Sequence, residues 1–100
     1  MKEEVFNQYA ERVAKLFGIT KEQLFSHTKK REIVDARQLL VYLCYNRQIR
    51  LVTIKKLMDN NGYKTYNHTI AHCIKIINKK ISEDRDYQTI ISNIENSVFI

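Results

Sequence analysis

Val5, Phe6, Tyr9, Val13, Leu16 and Phe17 recur at helical spacing, with Glu3, Glu4 and Glu11 near the start and Gly18 in the position of a C′ stop. They predict a first helix. ITKEQLF then reads as a short second one, with Thr20 as N-cap, Gln23 as its capping-box partner and Ile19 at the staple position. SHTKK, residues 26–30, reads as a polar basic loop. From Arg31, the stripe Ile33, Val34, Ala36, Leu39, Leu40, Leu43 and Cys44 is wide enough for a third helix at the centre of the core. Leu51, Ile54, Leu57 and Met58 predict a fourth, ended by Asp59, Asn60, Asn61 and Gly62. Thr65 is the expected N-cap of a fifth, along which Ile70, Ile74, Ile77 and Ile81 form one narrow stripe. Residues 82–86 read as an acidic joint. Tyr87, Ile90, Ile91, Ile94 and Val98 then predict a last helix that closes the core.

The pattern thus predicts an all-α protein of about six helices, and composition agrees: there is no proline and only two glycines to break helices or form hairpin turns. At 100 residues one domain, 1–100, is expected. No apolar run approaches the roughly 20 residues that cross a bilayer, and MKEEVFNQ lacks the character of a secretory signal, so a cytoplasmic protein without membrane contact is expected. Cys44 and Cys73 show no C-x-x-C spacing and read as small apolar residues.

Charge changes the picture once it is divided along the chain. Residues 27–80 hold twelve basic and three acidic side chains, whereas residues 1–26 are balanced and residues 81–100 are acidic. A basic segment this lopsided suits a polyanion, because each neutralised phosphate releases condensed counterions. On the fifth helix, at 100° per residue, His68, His72, Lys75 and Lys79 cluster opposite the isoleucine stripe. H-x3-H is a zinc spacing, but no glutamate follows His68 and the neighbouring lysines repel a cation, so no metal is expected. Tyr66, Asn67, His68 and Thr69 are instead side chains suited to base edges in a major groove. No nucleophile with a paired base, no carboxylate pair in an evident pocket and no phosphate loop can be named, so no enzyme, cofactor or small-molecule substrate is expected.

KREIVDARQLLVYLC (30–44), LVTIKKLM (51–58) and HTIAHCIKII (68–77) resemble the C-terminal DNA-binding domain, domain IV, of the bacterial chromosomal replication initiator DnaA. That family reads approximately R-x-I-V-x-A-R-Q-x-A-M-Y-L-C, S-L-x-x-I-G and R-D-H-T-T-V-L-H-A. The resemblance covers nearly the whole chain and implies a helix-turn-helix of Trp-repressor-like type that binds double-stranded DNA. It implies that Arg31 enters a minor groove beside Lys29 and Lys30, and that Arg37, of the A-R-Q element, lies near the backbone. Tyr66, Asn67 and His68 fall on the base-reading D-H-T triplet without retaining any of its residues, and the turn before them is longer than the family's. These departures argue against the ordinary origin box while leaving the fold and DNA binding expected.

The expected function is therefore sequence-selective duplex binding in replication initiation or its regulation. Base contacts are expected from Arg31, Tyr66, Asn67, His68 and Thr69. Phosphate contacts are expected from Lys29, Lys30, Arg37, Lys55, Lys56, His72, Lys75 and Lys79. The chain starts at Met1 with this module and carries no G-x-x-x-x-G-K-[ST], so a stand-alone binder from a phage, mobile element or accessory regulator is expected rather than an ATP-driven initiator. The alternative is an adaptor that docks another replication protein without DNA, through the acidic last helix or Tyr63 and Tyr66.

Overall fold

A computed structural model describes residues 2–98 as six helices: α1 (Lys2–Phe17), α2 (Lys21–Leu24), α3 (Arg31–Asn46), α4 (Leu51–Asn60), α5 (Asn67–Glu83) and α6 (Arg85–Asn96). No strand occurs among the described residues. The central element is α3, which packs against α1, α2, α4 and α5. Its residues Ala36, Leu39, Leu40, Val41, Leu43 and Cys44 are all essentially inaccessible to solvent. Phe6, Tyr9 and Val13 of α1 cover one side of this core, and Ile70, Ile74 and Ile77 of α5 cover another. Ile91 and Ile94 of α6 and Val98 beyond it complete the cluster. No helix among the described residues is long and apolar enough to cross a membrane.

Three helices end in the same way. At the close of α1, Gly18 has φ +65° and donates to Lys15, while Ile19 donates back to Ala14 at 3.0 Å. That pair of reversed bonds satisfies carbonyls the helix would otherwise leave open. Gly62 and Tyr63 repeat it at the end of α4, and Gln48 and Ile49 at the end of α3. Gln48 holds φ +66° with a side chain attached. In each case the residue after the reversal is Ile19, Ile49 or Tyr63, packed on the core.

The capping box is present, with Gln23 N–H donating to Thr20 Oγ1 at 3.1 Å and Thr20 N–H to Gln23 Oε1 at 2.9 Å. Two other expectations need correction. Thr65 does not cap α5; it is buried, and Tyr66 is the N-cap, with no side-chain hydrogen bond. The acidic joint shrinks to Asp84, whose carboxylate accepts from Asp86 N–H at 2.9 Å and caps α6 as α5 ends. A single residue suffices because its side chain takes up the orphan donor that a longer linker would leave to water.

Candidate nucleic-acid interface

Arg37 organises one side of the molecule from within. It is only 7% exposed. Its guanidinium donates to the carbonyl oxygens of Ser26 and Thr28, the latter at 2.9 Å, and lies 4.4 Å from the centre of the Tyr63 ring. The His27 imidazole stacks on that same ring at 4.6 Å. A buried cation must recover its lost hydration from protein groups, and here two carbonyls and an aromatic face supply them. The basic loop is thereby held against the turn that leads into α5. Both terminal nitrogens of Arg37, a residue expected near phosphate, are engaged by protein carbonyls. Arg37, Gln38, Tyr63, Thr65, Thr69 and His72 border a cavity of about 110 Å³ between α3, the turn and α5.

The turn itself, residues 61–66, is fixed by Asp59. One carboxylate oxygen accepts from Lys55 Nζ at 2.6 Å and the other from the Thr65 N–H at 3.0 Å. These two donors, the lysine first, hold the Asp59 carboxyl below the usual carboxylate range. Asn61 Nδ2 donates to the Leu57 carbonyl at 2.8 Å and closes the corner. Lys55, expected at phosphate, therefore carries a charge already matched within α4. Lys56 is exposed but borders a different hollow, with Lys2 and Glu3 of α1.

The remaining residues singled out from the sequence lie open or nearly so. Lys29, Lys30 and Arg31 are exposed where the loop enters α3. Tyr66 is 66% exposed, and its ring stacks nearly parallel to that of His68 at 5.6 Å. Asn67 and His68 are exposed and Thr69 is half-buried. On the outer face of α5, His72, Lys75 and Lys79 are exposed, while Lys80 turns to Asp35 at 3.4 Å and toward Tyr87. Both thiols are free, and burial pushes Cys73 up to about 11 and Cys44 to about 12. Neither is poised as a nucleophile.

Sequence reasoning missed His27, Arg50 and Lys64. His27 joins the loop to Tyr63; Arg50 is the N-cap of α4 with no capping side-chain bond; Lys64 is exposed two residues before the N-cap of α5. A search for cations immediately before helix starts would have found the last two, because a cation opposes the positive end of the helix dipole and needs a reason to be there.

A family model, bacterial DnaA protein helix-turn-helix, matches residues 7–76, which reach from within α1 to the middle of α5. The chain belongs to the bacterial DnaA helix-turn-helix family. It is 27% identical over 88 residues to the chromosomal replication initiator protein DnaA of Nautilia profundicola, covering 88% of this chain and 20% of that protein. It is 28% identical over 87 residues to the same-named protein of Citrifermentans bemidjiense, covering 87% and 18%. The chain thus spans about a fifth of the length of these DnaA relatives. The DnaA match takes in α2, α3, α4, most of α1 and the first half of α5, and α6 lies beyond it.

Proposed function

We propose that this chain binds double-stranded DNA sequence-selectively and serves replication initiation or its regulation, as the name of its DnaA relatives suggests. In this reading α5 enters a major groove. Tyr66, Asn67, His68 and Thr69 meet base edges, and Arg31 reaches the adjacent minor groove. Lys29, Lys30, Lys75 and Lys79, with His72, meet phosphates. Asn and His offer donors and acceptors to purine edges, and the Thr methyl can touch a thymine methyl. The start of α5 has no side-chain cap and no acidic residue in its first turn, so its free N–H groups favour an anion.

One observation carries the reading: Arg37 and Tyr63 bind the cationic loop beside the exposed, uncapped start of a helix whose outer face bears His68, His72, Lys75 and Lys79. With Arg37 buried and Lys55 paired, about four to six cations remain for phosphate. The logarithm of affinity should then fall with the logarithm of salt at a slope between about −4 and −5. Fluorescence anisotropy with a duplex recovered from a randomised library measures this. A slope near zero, or no binding at low salt, would falsify the reading and favour an adaptor role.

A further inference from the structure

We infer that the contact of His27, Tyr63 and Arg37 is a splint that sets the spacing between the basic loop and α5, making Tyr63 and Arg37 positioning residues for site discrimination. The inference rests on the DNA-binding reading above and adds how its two reading elements are kept in register. Two elements that enter neighbouring grooves read one site only if their separation is fixed, since a small misplacement removes directional base contacts before it removes phosphate contacts.

Loops are the mobile parts of a fold, and residues 26–30 lack regular structure of their own. What holds them is side-chain chemistry. Arg37 takes the carbonyls of Ser26 and Thr28, one on either side of His27. The His27 ring then stacks on Tyr63 at 4.6 Å, and the Arg37 guanidinium lies 4.4 Å from the centre of the same ring. Tyr63 stands in the α4–α5 turn, whose far end Asp59 fixes through the Thr65 N–H at 3.0 Å. The chain of contacts therefore runs from the loop before Arg31 to the residue before Tyr66 without a gap.

The test uses the whole chain and its Tyr63→Ala, Tyr63→Phe and His27→Ala variants. Affinities are measured for the tightest duplex recovered from a randomised library and for a scrambled duplex of equal composition, alongside urea unfolding and the His27 ring-proton shifts without DNA. Tyr63→Ala and His27→Ala, the latter at an exposed position, should lose about tenfold in affinity for the selected duplex and less than about twofold for the scrambled one. Tyr63→Phe, which keeps the ring, should match wild type on both. The His27 ring protons should move on Tyr63→Ala and stay in place on Tyr63→Phe. Equal loss on both duplexes, no loss on either, or a Phe variant as poor as the Ala variant overturns the splint. So do His27 shifts indifferent to Tyr63→Ala. Wild-type protein that binds neither duplex overturns the DNA-binding reading itself, and the ring shifts then report separately whether the contact exists.

Discussion

Helices α2 and α6 begin with side chains that satisfy their orphan N–H groups, Thr20 and Asp84, whereas α3, α4 and α5 begin at Lys30, Arg50 and Tyr66 with no side-chain cap. The first pair is built for its own stability. The second set gives up a contribution of about 1 kcal/mol per helix that a serine or aspartate would supply. At α4 and α5 there is no acidic residue in the first turn either, and at α3 and α4 the cap position holds a cation against the helix dipole. Such starts are unfavourable in the isolated protein and favourable beside a phosphate. The uncapped helices are also the ones that carry the loop, the turn and the outer face described above.

The contrast breaks most visibly at Tyr66. Its backbone, at φ −128° and ψ 156°, already has the extended geometry of a capping residue, so Tyr66→Asp and Tyr66→Ser can both accept the open N–H groups. Each should raise stability in urea by about 0.5–1 kcal/mol. Tyr66→Asp also puts a carboxylate at a position proposed to meet base edges, so it should change which duplex is bound tightest, and Tyr66→Ser should change it less. A stabilised Tyr66→Asp that binds DNA like wild type would show that the bare start has nothing to do with DNA.

Much of this division was legible in the residues alone, and the exceptions have identifiable causes. The apolar period located the helices, and Thr20 with Gln23 announced a cap, because those signals depend on neighbours three or four positions away. The exposure of His68, His72, Lys75 and Lys79 followed from the same period. The partners of Arg37 and Lys55 were not legible, because they are decided elsewhere. The carbonyls of Ser26 and Thr28 lie about ten residues from Arg37 and meet it only through the path of the loop. Asp59 stands one turn from Lys55, a pairing that i,i+4 spacing permits, yet its second contact to Thr65 depends on the shape of the turn. Thr65 has the chemistry of an N-cap but lies one residue too early, drawn into the core beside the cavity.

On the capped side, Thr20→Ala should lower stability by about 1 kcal/mol, since it leaves the Gln23 N–H without its acceptor. DNA affinity should be unchanged within error. A large affinity loss there would mean that α2 also belongs to the interface and would blur the division. Gln48→Gly probes the other end of a helix. Gln48 closes α3 in the left-handed conformation that Gly18 and Gly62 adopt without a Cβ, so the glycine should add about 0.5–1 kcal/mol in the same urea assay. No sequence signal pointed to this reversal, because glutamine is not a residue expected there.

The smallest effect is a pH dependence at the turn. The Asp59 carboxyl is held below its ordinary value by Lys55 and the Thr65 N–H, so the folded state binds its proton less readily than the unfolded one. Its stabilising contribution is therefore complete above the unfolded-state value and disappears as pH falls through the lower folded value. Neutral conditions leave the turn intact, and only acid below the usual carboxylate range releases Thr65 and with it the approach to α5. Urea unfolding followed across acidic pH should show wild type losing stability over that window more steeply than Asp59→Asn, which has no proton to gain and starts less stable at neutral pH. Parallel profiles for the two proteins would mean that the turn is held by Asn61 and the packing of Tyr63 alone, and that the start of α5 owes its position to the core rather than to the carboxylate.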